Sequence, residues 1–219
     1  MTKENHRIHL NYQQQGSGTP LILLHGNGED HTIFHELIKQ LSQKYEVFAL
    51  DSRGHGNSTP VTEFHYHDMA EDVINFIHDQ QISKPIIYGF SDGGIIALLI
   101  AVKEPELLAK IIISGANANP WGLKWRWHSN YLFQYWFNST PLISLMIREP
   151  HITKKMLRQI KTPTMIIAGE KDIIRSAHTR YLHHNINHSK LLIIPNENHS
   201  SYVLDNEKLF KILNALLNQ

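Results

Sequence analysis

The chain has 219 residues, 42% of them apolar and 19% charged, a composition that suits one soluble globular domain with a sizeable core. Its net charge of +1, without a long basic run, argues against an electrostatic nucleic-acid partner. The absence of cysteine excludes disulfides, thiolate catalysis and Cys-based zinc sites. The first residues, Met1 to Arg7, are polar and lack the apolar core of a signal peptide, and no apolar run reaches the roughly 20 residues of a membrane span. The expectation is a cytoplasmic protein without a membrane partner. Sixteen histidines invite a metal reading, but the close pairs His31/His35, His65/His67 and His183/His184 have no companions at a recognised ligand spacing, so no metal site is expected.

Ile8 to Gln13 alternates apolar and polar residues and predicts an edge strand closed by the turn Gly16 to Pro20. Leu21 to Leu24 is continuously apolar, as a strand buried on both faces should be, and ends at His25-Gly26-Asn27-Gly28. Helical spacing follows from His31 to Leu41. A second buried strand, Val47 to Leu50, runs into Asp51-Ser52-Arg53-Gly54-His55-Gly56-Asn57-Ser58, and an amphipathic helix spans Tyr66 to Asp79. Next come a strand over Pro85 to Tyr88, the pentapeptide Gly89-Phe90-Ser91-Asp92-Gly93, and an apolar helix running to about Val102. Strands at Ile111 to Ile113, Thr164 to Ala168 and Leu191 to Ile194 precede a terminal helix over Tyr202 to Leu217. This alternation predicts an α/β fold, a mostly parallel sheet with helices on both faces, over a single domain of residues 1–219. One stretch departs from it. Residues 117–159 hold all four tryptophans and no clean strand, and read as a small helical cap insertion in which Trp121, Trp125 and Trp136 are candidates to face a substrate.

In parallel sheets ligands bind beyond the carboxyl ends of the strands, and five chemically loaded loops follow strands here. Ser91 sits between glycines at the apex of a strand-to-helix turn, where its hydroxyl would project toward a ligand at the helix N-terminus. A hydroxyl nucleophile needs a base, itself oriented by a carboxylate. His199, after the last strand, is the candidate base; its rivals His178, His183, His184 and His188 fall in a helix or in the loop before that strand, where the geometry is less suitable. Asp172 is the candidate acid, with Glu170 as the alternative. An oxyanion would find donors in the backbone N–H groups of Asp92 and Asn27.

Together, His25-Gly26-Asn27-Gly28, Asp51 to Ser58, Gly89 to Gly94, Gly169-Glu170-Lys171-Asp172 and Asn198-His199 resemble the α/β-hydrolase superfamily. The resemblance implies a Ser91–Asp172–His199 triad, an oxyanion hole from Asn27 and Asp92, no cofactor, and scaffold roles for Arg53 and His55. The activity expected is cleavage of a small carboxylic ester through an acyl-enzyme. Thioesters, lactones and carbon–carbon bonds are further substrates for the same machinery. A low-turnover small-molecule receptor, signalling through its aromatic cap, is the alternative from another class. An aspartate nucleophile, as in dehalogenases, is disfavoured, and an aminopeptidase would want a cap acid such as Glu149 to hold the substrate amine.

Overall fold

The computed structural model describes residues 8–218, so the polar stretch Met1 to Arg7 lies outside the described residues. Seven strands of the described residues form one sheet: β1 (Tyr12–Gln15), β2 (Thr19–Leu24), β3 (Tyr45–Leu50), β4 (Ile86–Phe90), β5 (Lys110–Ser114), β6 (Thr164–Gly169) and β7 (Ser189–Ile194), in the order β1-β3-β2-β4-β5-β6-β7. Only β1 is antiparallel; the remaining neighbours are parallel, with Leu21 opposite Val47 on one side and Ile86 on the other. The chain leaves β2 in one direction to reach β3 and returns across it to β4. The crevice between the loops after β2 and β4 is therefore the point where the winding reverses, the place such sheets offer a ligand.

The apolar runs alternate in which face they serve. Ile22, Leu24, Phe48, Leu50, Ile87, Ile111 and Ile113 pack against α2 (Tyr66–Asp79), α3 (Asp92–Lys103), α6 (Lys154–Gln159) and α7 (Ser176–Asn185). Leu21, Leu23, Val47, Ala49, Tyr88, Ile112 and Ile167 pack against α1 (His35–Leu41), α8 (Ser201–Leu204) and α9 (Asn206–Leu217). Both faces are dry, which is why period-2 alternation is missing from the strands. Each fully buried Leu or Ile contributes roughly 1.5–3 kcal/mol by leaving water.

Three boundaries differ from expectation for identifiable reasons. Residues 8–11 do not pair in the sheet, because the 51–59 loop takes their backbone groups: Thr59 N–H donates to His9 O, Asn11 N–H to Ser58 Oγ and Asp51 N–H to Asn11 O. The edge strand begins at Tyr12 instead. The terminal helix is broken at Asp205, whose carboxylate accepts from Lys208 N–H and caps α9 afresh. β7 begins at Ser189 rather than Leu191 because pairing with β6 extends to Ser189 and Lys190, and as the edge strand it leaves Leu192 and Ile193 exposed. Between β5 and β6 the chain forms a 3-10 turn at Pro120–Gly122, then α4 (Trp125–Phe137), α5 (Pro141–Arg148) and α6, with no strand among them.

Candidate active site

β4 ends at Phe90 and α3 begins at Asp92, so Ser91 alone makes the turn, at φ 52° and ψ −111°. A non-glycine residue rarely holds such a backbone, and the surroundings must enforce it. Ser91 N–H donates to Ser114 O at 2.7 Å, Gly93 N–H to His25 O at 3.1 Å, and the next turn of helix closes on Ser91 O. A side chain at Gly93 would strike the Leu24 carbonyl and one at Gly89 the Gly93 carbonyl, so the close strand–helix approach requires glycine at both.

The loops after β6 and β7 bring two further groups to this apex. Asp172 is buried, and its Oδ1 accepts from Ile174 N–H at 2.9 Å and lies 2.8 Å from His199 Nδ1. The carboxylate oxygen has no proton to give, so Nδ1 carries the hydrogen. Nε2, 3.1 Å from Ser91 Oγ, is left free to accept from the hydroxyl. The imidazole is seated between the Phe90 ring, 5.1 Å away, and the backbone at Gly115, where a Cβ would come within 2.6 Å of Cε1. Gly115, at φ +65° directly after β5, was missed in the sequence; a glycine closing a parallel strand was the available signal. Glu170, the other acid considered, is exposed and accepts from Asn196 N–H at 2.9 Å, away from the imidazole.

On the opposite side the loop after β2 carries Asn27. Among the described residues no hydrogen bond occupies the backbone N–H of Asn27 or of Asp92. The two residues are clipped together, Asn27 Nδ2 donating to Asp92 Oδ2 at 2.9 Å, while Tyr66 O–H donates to Oδ1 at 2.7 Å. Burial still raises the Asp92 carboxyl above its ordinary range. Glu29 accepts from Gly26 N–H at 2.9 Å and braces the same loop, and burial raises it as well. His55 Nε2 accepts from Gly28 N–H, and Arg53 forks onto Asp72 at 2.5 and 2.7 Å, so the 51–58 loop buttresses the rim.

A cavity of about 390 Å³ opens over Ser91 and His199, lined from above by Leu123, Tyr131, Gln134, Ile143, Met146 and Glu149. The tryptophans expected there are elsewhere. Trp121, Trp125 and Trp136 are 66%, 75% and 81% exposed and none of them touches the cavity, because α4 turns Tyr131 and Gln134 inward instead. Periodicity identifies a helix but cannot say which of two aromatic faces looks inward. Glu149 does line the cavity, but its carboxylate is engaged, by His65 Nδ1 at 2.6 Å and Tyr66 N–H at 3.0 Å. Asp30, His31 and Asp51 bring ligand-type atoms together at the far side of the β2 loop. There the Asp51 oxygens already accept from His31, Asn57 and Asn11.

Residues 19–142, more than half of the chain, match the family model described as the alpha/beta hydrolase fold. The chain belongs to the α/β-hydrolase family, and it is a hydrolase. It is 28% identical over 232 residues to the human serine hydrolase BPHL, covering 90% of this chain and 78% of that one. It is 25% identical to the AB hydrolase superfamily protein YisY of Bacillus subtilis, over 96% of both chains. A thermophilic esterase from Thermogutta terrifontis superposes with a TM-score of 0.77 at 20% identity, over 96% of this chain and 93% of that one, a likeness of fold.

Proposed function

We propose that the chain hydrolyses small carboxylic esters through an acyl-enzyme on Ser91. The observation that supports this reading is the unbroken chain of contacts from Ser91 Oγ through His199 to Asp172, at 3.1 and 2.8 Å, at the floor of the cavity. In this reading His199 Nε2 takes the hydroxyl proton as Ser91 Oγ bonds to the carbonyl carbon. The oxyanion accepts from the N–H groups of Asn27 and Asp92, which the Asn27–Asp92 side-chain clip keeps in register. Asp172 holds the imidazole in the needed tautomer and balances the imidazolium. His199 then returns the proton to the departing alkoxide. A water, deprotonated by the same nitrogen, adds to the acyl carbon and releases the acid with Ser91 restored. Helices α4 and α5 act as the cap, and the fold is shared with the thermophilic esterase from Thermogutta terrifontis.

The receptor alternative requires a bound small molecule to reposition the cap, and multiple turnover on short acyl esters with no binding-linked change in tryptophan emission would eliminate it. An aminopeptidase depended on a free cap acid, and Glu149 is held by His65 and Tyr66. A serine-directed fluorophosphonate is expected to add one mass equivalent to the wild type and none to Ser91→Ala. On nitrophenyl esters of increasing acyl length, Ser91→Ala and His199→Ala should each lose about 10⁴-fold or more in kcat. An unlabelled wild type, or Ser91→Ala with ordinary turnover, would overturn the assignment.

A further inference from the structure

Helix α4 carries its apolar side outward. Trp125, Phe133, Trp136 and Phe137 are 75%, 62%, 81% and 76% exposed, and at about 100° per residue they share one face of the helix with Arg126, Ser129 and Asn130. The opposite face holds the polar and cavity-lining groups: buried His128, Tyr131, Gln134, and Tyr135, whose hydroxyl accepts from Arg148. Trp121, also exposed, precedes the helix, and Trp127 falls on the cavity side beside Tyr131. Four of the nine large apolar side chains exposed among the described residues therefore share this one helix face, more than the scattering an ordinary surface shows.

Charge gathers in the same place. Residues 117–159 contain six Lys or Arg and a single acid, Glu149, for a formal charge of +5, while the rest of the chain is −4. Lys124 and Arg126 stand at the start of α4, Arg148 lies over the Tyr135 ring, and Arg175, from the neighbouring loop, donates to the Trp121 carbonyl. No ion pair among the described residues neutralises Lys124, Arg126, Arg148 or Arg175. An exposed face of tryptophan and phenylalanine rimmed by cations matches the interface of a bilayer: the rings enter the headgroup–acyl boundary while the cations meet lipid phosphates. A second copy of the chain fits poorly, since two such faces would bring like charges together.

We propose that the outer face of α4 docks the protein on the surface of an anionic lipid bilayer. No helix of the described residues is long and apolar enough to cross a membrane, so the contact is peripheral, and it runs against the expectation of no membrane partner drawn from the sequence. Because the inner face of α4 lines the cavity, docking sets the cavity one helix diameter from the lipid. The proposal stands independently of the ester chemistry.

Co-sedimentation with vesicles tests it. The intact wild type is expected to pellet with vesicles of equal parts phosphatidylcholine and phosphatidylglycerol at low salt, with its tryptophan emission shifted to the blue. It should be released by added salt and bind phosphatidylcholine vesicles weakly. Phe133→Ser/Phe137→Ser and, separately, Lys124→Glu/Arg126→Glu should each lower the partition coefficient at least about tenfold while leaving the thermal midpoint unchanged. Absence of pelleting with the anionic vesicles, or equal pelleting of wild type and both variants, would overturn the proposal. So would light scattering that shows a wild-type dimer converted to monomer by Phe133→Ser/Phe137→Ser, since a second copy would then be the occupant.

Discussion

Two buried imidazoles, neither in contact with Ser91, set how the protein responds to acid. His25 lies under the β2 loop, its Nδ1 2.7 Å from Gly26 O and its Nε2 accepting from Ser52 N–H, and burial lowers it to about 4. His178 accepts from Ala118 N–H through Nε2, and burial likewise lowers it to about 4. Each is neutral in the fold and has an ordinary value of 6.5 when unfolded, so between pH 6.5 and 4 the unfolded chain binds more protons. The stability these groups contribute is present above pH 6.5 and fades as pH falls toward 4, by an amount on the order of 3 kcal/mol for each. The raised carboxyls of Asp92 and Glu29 work in the opposite direction, so the clean measurement is a difference. Urea midpoints of wild type should fall more steeply between pH 7 and pH 5 than those of His178→Gln, and parallel slopes would remove His178 from the account. The roles proposed for Ser91, Asp172 and His199 were legible as single letters at strand ends. Gly115 was not, because its importance lies in what the imaginary Cβ would touch.

At the scale of elements, each loop on the rim is braced by a neighbour from a distant part of the chain. β5 supplies Ser114 O to hold Ser91 N–H, and Gly115 directly after it seats the imidazole carried by the loop after β7. Gly115→Ala would press on His199 Cε1 and would also require a side chain at φ +65°. A displacement of about 1 Å at a reacting group costs on the order of 10²-fold, so kcat on a soluble ester should fall by about that factor while the Ser91 turn survives. A variant with wild-type kcat would show that the imidazole is positioned from the Asp172 side alone. The helices were legible where one face is apolar, as over Tyr66–Asp79, whose bounds agree with the expectation. The stretch holding α4 was legible only as a helical cap, without the helix's bounds or its rotation. With aromatic residues on both sides, only packing against α5 selects which side faces in, and it selected the tyrosines.

For the whole molecule, the parallel winding places all the candidate chemistry on one rim, and it also sets the field there. The cavity is lined by Glu29, Asp92 and Glu149 and by no lysine or arginine, although the chain as a whole is nearly neutral. An anionic substrate would enter against that field. A nitrophenyl hemisuccinate should therefore have a kcat/KM at least about tenfold below that of the butyrate, with the gap narrowing as salt is added. Equal values at low ionic strength would mean that the carboxyls are held neutral or turned away. The sequence by itself determined the strand–helix alternation, the continuous apolar cores and the order of the loaded loops, because buried strands and tight turns admit few residue types. Which side chains meet across 108 positions of chain, and which face of an aromatic helix is left to the solvent, was decided only by the tertiary structure. Those outcomes depend on how separate elements pack against one another, and no local pattern carries that information.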